Sequence, residues 1–317
     1  MKAVVTGAGG YLGPVVIQML LAADPANRVV AVSRDPRGSL LLFAAATDRV
    51  TAMTPDEFLA AGHGSHPADA VIHLAAGGRT NGDAAALAAS MRFTRRVIEW
   101  CLTQQVPRLI FASSQAVYGT APTPWREEMP AAPVTLYGGY KYSTELLLET
   151  LRSAGAASLH PLSLRFGKLV GPSPRFRISD LEWPHVLVHA ALTGHTATLP
   201  AAGAQLIDLV DIRDAAAAIL AALARSGEPV PPALNVGSGH PTTVREVAEL
   251  VAAIAATDGF PPLRFTLQPP GPGPLRSFAM ATDLAERSLG FRVRIPLQQT
   301  IRDLFTLLAR GATGRQR

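Results

Sequence analysis

The sequence predicts an α/β fold built on a doubly wound parallel sheet. Two observations carry that expectation. Short apolar runs alternate with helical patterns through the first half, and a glycine cluster follows the N-terminal run at once. In order, KAVVTG reads as a strand, residues 12–23 as a helix and RVVAVSR as a second strand. DAVIHLAA, a helix over 84–104 and RLIFASS follow, then a helix over 137–153 and the strand SLHPLSLRF. Strands that are apolar throughout are those buried on both faces, as parallel strands are when helices cross over them. Ligands on such sheets bind beyond the carboxyl ends of the strands.

Composition narrows the function classes. With 48% hydrophobic and 17% charged residues in 317, the chain reads as globular. The net charge of +5 comes from arginines spread along the sequence, and aromatics are only 6%. A nucleic-acid binder is therefore not expected, whereas anionic small molecules would be attracted. No apolar run of about 20 residues predicts a membrane span, and the N-terminus meets glycines where a signal peptide needs its apolar core. A single cysteine, Cys101, excludes an internal disulfide framework, reads as a buried thiol and suits a cytoplasmic protein. His185 and His189 are four apart, but a metal needs further ligands, so they read as ordinary helix residues and no metal is expected.

The first strand runs into Thr6-Gly7-Ala8-Gly9-Gly10-Tyr11-Leu12-Gly13. Glycines at 7, 10 and 13 permit a tight turn, close approach of backbone to a pyrophosphate and close helix–strand packing. The helix N-terminus adds unpaired N–H groups and a positive dipole end. Between a strand and a helix, this pattern predicts a dinucleotide cofactor. The second strand ends in Ser33-Arg34 where an acidic residue would hold a free ribose hydroxyl. Arg34 could pair with a 2′-phosphate, which favours NADP over NAD, the alternative being that Asp35 takes the ribose.

Only Lys2, Lys141 and Lys168 are lysines among 29 basic residues, so a lysine deep in the chain is an exception. Tyr137 and Lys141 are four apart, on one helix face. A free phenol has a pKa of about 10, and a nearby cation lowers such a value by about 1–3. Tyr137 could then exchange a proton with a substrate oxygen while hydride moves to or from a nicotinamide. Ser114, at the end of RLIFASS, faces the ligand crevice, although serines at a strand end also serve as caps.

TGAGGYLG, HLAA at 73–76, SSQAVYG, YGGYK, LRFGKLVGP at 164–172 and LNVGSG at 234–239 occur together and in order. In this set the chain resembles the extended short-chain dehydrogenases, the UDP-galactose 4-epimerase, sugar-nucleotide dehydratase and ketoreductase group, over residues 1–308. The resemblance implies a Rossmann-type domain over 1–172, with 206–236 returning to it. A mainly substrate-binding domain over 173–317 would follow, ending in a disordered tail from about 311. It implies Ser114, Tyr137 and Lys141 as catalytic residues. Gly7, Gly10, Tyr11, Leu12 and Gly13 become the pyrophosphate loop, and Leu74, Ala75 and Ala76 line the cofactor. LIDLVDIRDAAAAILAAL at 206–223 and TDLAERSLGF resemble later family elements, and QPPGPGPLRS at 268–277 a loop near the substrate mouth. A homodimer through the helices around 84–104 and 137–153 is also implied.

Departures from the pattern redirect the function. Ser90 stands where the family carries an asparagine. Gln115 and Ala116 replace the acidic pair that dehydratases use, so dehydration is disfavoured. Lys168, Ile207, Gly273 and Arg276 replace four residues of the usual uridine-nucleotide site. Lys168 becomes a candidate to pair with a substrate carboxylate or phosphate. Arg79, Arg175 and Arg177 are weaker candidates, and Ser114 and Gln115 could also touch substrate. The expected activity is an epimerase or ketoreductase acting on a sugar nucleotide or similar polyol or ketone. The alternatives are a reductase of a non-nucleotide carbonyl and a non-catalytic nucleotide sensor.

Overall fold

The computed structural model describes residues 1–46, 48–61, 68–76, 83–155, 159–174, 183–200, 203–225, 230–269 and 277–313. The first half alternates strand and helix: β1 (Lys2–Thr6), α1 (Gly13–Ala23), β2 (Arg28–Val32), α2 (Pro36–Leu41), β3 (Val50–Met53) and α3 (Pro55–Ala60). Then come β4 (Ala70–His73), α4 (Ala84–Thr103), β5 (Arg108–Ser114), α5 (Leu136–Ser153) and β6 (His160–Phe166). The remainder holds β7 (Lys168–Val170), α6 (Trp183–Thr193), β8 (Thr196–Leu199), β9 (Leu206–Ile207), β10 (Leu209–Asp211) and α7 (Ile212–Ala224). It closes with β11 (Ala233–Val236), β12 (Thr242–Thr243), α8 (Val244–Thr257), β13 (Arg264–Leu267), α9 (Asp283–Leu289) and α10 (Leu297–Thr313).

Seven strands form one sheet in the order β11-β6-β5-β4-β1-β2-β3, and every pairing is parallel. Chain direction across the sheet reverses between β1 and β4, which opens a crevice beyond their carboxyl ends. Successive strand residues face opposite ways, so Val5 packs with Ile17, Ile72 and Ile219 while Val4 packs with Val71, Val97 and Leu109. These two cores, under α1 and α7 on one face and α4 and α5 on the other, explain the unbroken apolar runs. A third core gathers Leu187, Val188, Val247, Val251, Ile301 and Phe305 from α6, α8 and α10.

Most strands and helices read from the sequence lie within a residue or two of these bounds. The edge strand β3 and the short helices α2 and α3 gave no apolar run to read. Lys168, expected just past a strand, instead starts β7, which pairs in parallel with β10. The return of the chain comes as α7, packed on α1, and β11, paired with β6. α10 runs to Thr313, slightly beyond the expected start of the tail, and residues 314–317 lie outside the described set. Cys101 is buried, and burial pushes its thiol pKa up. Among the described residues no helix is long and apolar enough to cross a membrane.

Candidate active site

The glycine loop turns as its composition requires. Gly7 has a φ of +73°, the left-handed region that glycine enters without strain. A Cβ there would lie 2.9 Å from the Ala75 nitrogen, so the exits of β1 and β4 touch through bare backbone. At Gly13 a Cβ would meet the Gly7 carbonyl oxygen at 2.4 Å, and the Gly10 N–H donates to that same oxygen at 2.9 Å. Such crowding leaves a cradle of backbone N–H groups at the start of α1. The donor set fits the diphosphate of a dinucleotide cofactor.

Leu12 precedes α1 and is buried, while Leu74, Ala75 and Ala76 follow β4 at the crevice. Tyr11 turns its phenol away from the loop and donates to the Gly171 carbonyl at 2.6 Å, while His185 Nε2 lies 3.0 Å from the Tyr11 hydroxyl oxygen. Ser173 Oγ donates to the Tyr11 carbonyl at 2.7 Å. His185 is a buried helix residue on α6 that meets the Tyr11 ring edge-on, so it packs against the loop as a structural partner.

At the end of β2, the Ser33 and Ser39 hydroxyls lie 2.7 and 2.8 Å from where a Gly9 Cβ would be. Arg34 is exposed beside them. Asp35 caps α2, its carboxylate accepting from the Gly38 N–H at 2.9 Å.

Tyr137 and Lys141 lie in the first turns of α5, which starts from Thr135, whose hydroxyl accepts from the Gly138 N–H at 3.0 Å. Lys141 is buried, and its Nζ donates to the Ala112 carbonyl on β5 at 2.5 Å. The ammonium lies 4.6 Å from the ring centre of Phe111, 5.1 Å from Tyr140 and 5.6 Å from Tyr137. Cation–π attraction to these rings offsets part of its desolvation. A Cβ on Gly138 would meet the Ala116 carbonyl oxygen at 2.4 Å, so α5 is seated directly on the turn after Ser114. Ser114 Oγ accepts from the Ala116 N–H at 3.2 Å, which leaves its own O–H to donate elsewhere. The next residue, Gln115, carries a buried Oε1 with no hydrogen-bond partner among the described residues.

The structure thus brings Ser114, Gln115, Tyr137 and Lys141 together at one end of β5. Lys168 lies at the start of β7, after β6 and beside Asp208, whose carbonyl accepts from the Lys168 N–H at 3.0 Å. Ser90 Oγ donates to the Ala86 carbonyl of its own helix at 2.9 Å. Ile207 is buried in the third core. Arg79, Arg175, Arg177, Gly273 and Arg276 lie outside the described residues.

Two features escaped the reading of single motifs. Arg165 on β6 bonds Glu145 on α5 at 2.7 Å and the Tyr118 hydroxyl at 2.8 Å, and Tyr118 donates to Asn235 Oδ1 at 2.7 Å. The Ser113 hydroxyl also donates to Glu145. Burial pushes the Tyr118 phenol up to about 12, outweighing the nearby Arg165 charge. The second feature is a row of buried polar groups from Thr6 through His73 and Thr94 to Tyr140. Arg165, Asn235 and His73 all stand inside the quoted motifs. Their partners come from other elements, and no spacing rule joins them.

A sequence profile described as the NAD dependent epimerase/dehydratase family matches residues 3–237. The dTDP-6-deoxy-L-talose 4-dehydrogenase (NAD(P)(+)) of Kitasatospora kifunensis is 31% identical over 245 residues, covering 75% of this chain and 74% of its own. A UDP-glucose 4-epimerase of Yersinia pestis is 27% identical over an alignment of 346 residues that covers 99% of each chain. Among solved structures, MoeE5 in complex with UDP-glucuronic acid and NAD gives a TM-score of 0.79 at 26% identity, covering 98% of this chain and 100% of the other.

Proposed function

The chain belongs to the NAD dependent epimerase/dehydratase family, and from that premise we propose an NAD(P)-dependent epimerase or ketoreductase that acts on a sugar nucleotide. The observation that carries this reading is the buried Lys141 ammonium beneath the Tyr137 ring, on an α5 seated against the turn after Ser114. The nicotinamide cofactor accepts or returns a hydride at one sugar carbon when bound.

The protein's own residues do the rest. Gly7, Gly10, Tyr11, Leu12 and Gly13 hold the diphosphate, and Leu74, Ala75 and Ala76 line the path beside it. Lys141 favours the phenolate of Tyr137, which takes the proton of a substrate hydroxyl and gives it back. Ser114 donates to the same substrate oxygen and holds it in line. The buried Gln115 Oε1 accepts from a second substrate hydroxyl, since a buried acceptor left unpaired is costly. Gln115 and Ala116 supply no acid, which argues against loss of water from the sugar. Lys168 pairs with an anionic group of the substrate.

Arg34, exposed beside Ser33, takes a 2′-phosphate, while Asp35 is engaged as the α2 cap. NADP is therefore the preferred cofactor. Exposed Met91 on α4 and Leu146 and Leu147 on α5 support a homodimer through these helices. The single cysteine supports a place in the cytoplasm.

The test is to denature the purified protein, identify any released nucleotide, and assay UDP- and dTDP-sugars with the wild type, Tyr137→Phe and Lys168→Ala. A retained oxidised cofactor with interconversion of two sugars marks an epimerase. An empty protein that consumes NADPH in preference to NADH marks a ketoreductase and supports the role of Arg34. Tyr137→Phe is expected to lower turnover by about 100-fold or more, and Lys168→Ala to raise KM with kcat little changed. Full turnover by Tyr137→Phe would sink the reading.

A further inference from the structure

Tyr140 stands directly before Lys141 and is buried. Its hydroxyl lies 2.7 Å from Thr94 Oγ1 on α4. Thr94 Oγ1 lies 2.7 Å from His73 Nε2 at the end of β4, and His73 Nδ1 lies 2.6 Å from Thr6 Oγ1 at the end of β1. Four elements are thereby joined by three consecutive buried hydrogen bonds. We propose that Tyr140 is a positioning residue for the Tyr137–Lys141 pair, anchoring the first turns of α5 through Thr94 and His73 to the strand end that carries the glycine loop. The inference rests on the reading of Tyr137 and Lys141 as the reacting pair.

Three observations support it. Neighbours on a helix point about 100° apart, and here Lys141 reaches back to the Ala112 carbonyl while Tyr140 reaches across to α4. Tyr137 and Lys141 share a face, so a rotation of α5 would displace both at once, and the Tyr140 bond opposes that rotation. Second, the Tyr140 ring is itself one wall of the lysine's cage. A flexible lysine stem has many rotamers, and the rings of Phe111 and Tyr140 leave few of them open. Third, the row is ordered. Burial, then the Lys141 charge, holds the His73 pKa down at about 3, so its ring is neutral, with one donor and one acceptor nitrogen. The ring then donates through one nitrogen and accepts through the other, and breaking a bond of the row strands a buried polar group.

The titratable groups around this pocket are Tyr137, Tyr140 and Lys141 on α5 and His73 on β4. β5 offers Phe111 and the Ala112 carbonyl, and α4 offers Thr94, none of which titrates.

The experiment follows phenolate absorbance with pH in the intact protein bound to oxidised NADP, which needs no substrate. The wild type is expected to show one phenolate step below about 10 that disappears in Tyr137→Phe. In Tyr140→Phe and Thr94→Val that step moves upward, so that the phenolate fraction near neutral pH falls about threefold to tenfold. Thr94→Ser, which keeps the hydroxyl, leaves the step in place. The double variant Thr94→Val/Tyr140→Phe moves it no further than either single change, because each alone already breaks the one path from Tyr140 to His73. A step that stays put in Thr94→Val while the melting temperature drops would mean that the row merely stabilises the fold, and the inference would be wrong. Should the wild type lack a low Tyr137 step altogether, the reading of the pair itself fails, a result distinct from failure of the anchor.

Discussion

At the scale of single residues, adjacent glycines on α5 have opposite roles. A Cβ on Gly138 would meet the Ala116 carbonyl oxygen, whereas one on Gly139 meets nothing within 4 Å. Gly138→Ala is therefore expected to push α5 off the turn after Ser114 and abolish activity. Gly139→Ala, inside a helix and facing open space, is expected to raise stability by about 0.5–1 kcal/mol. Denaturant melts and turnover assays on both variants check this. A destabilised Gly139→Ala would contradict the packing described for α5. The sequence marks both residues only as members of YGGYK. Which glycine is needed depends on a backbone oxygen some 20 residues away, and no local pattern reveals that.

At the scale of elements, the inner strands of the sheet were legible because burial on both faces writes itself as continuous apolar runs. The glycine loop and the start of α5 were legible because their motifs are local. The cross-links between elements were not. Arg165 on β6, Glu145 on α5 and Tyr118 after β5 are apart in sequence, and each alone resembles an ordinary polar residue. Their side chains meet where water is excluded, Arg165 and Glu145 being 8% and 6% exposed. Arg165→Met would leave Glu145 as an uncompensated buried charge, at a cost of about 3–5 kcal/mol. The expected result is a large loss of stability in urea melts. A loss below about 1 kcal/mol, as at an exposed pair, would show that the pair is not shielded from water. Lys168 teaches the same lesson from the other side. Its chemistry was visible in a chain with three lysines, while its place on β7 depends on pairing with β10.

At the scale of the whole molecule, a buried neutral histidine couples stability to acid. The folded pKa of His73, about 3, lies below the ordinary 6.5, so the unfolded chain binds its proton first as pH falls. Its stabilising share is complete above about 6.5 and is lost progressively toward 3. Between about pH 7 and about pH 5 this one residue should account for a loss of ~2 kcal/mol. His73→Gln cannot take up that proton, and comparing its melts with the wild type at both pH values isolates the share. Equal slopes would mean that His73 titrates normally.

The same whole-molecule view gives the late return of β11 a consequence for synthesis. β6 pairs with β5 on one side and waits for β11 on the other. About 70 residues separate the end of β6 from the end of β11, so at about 5–20 residues per second the ribosome needs some 4–14 s to deliver the partner. During that interval the nascent chain holds an apolar strand with an open edge, as well as an α1 surface that α7 has yet to cover. An unpaired edge is a template for foreign strands. Cells making this protein would then rely on chaperones during that window of translation.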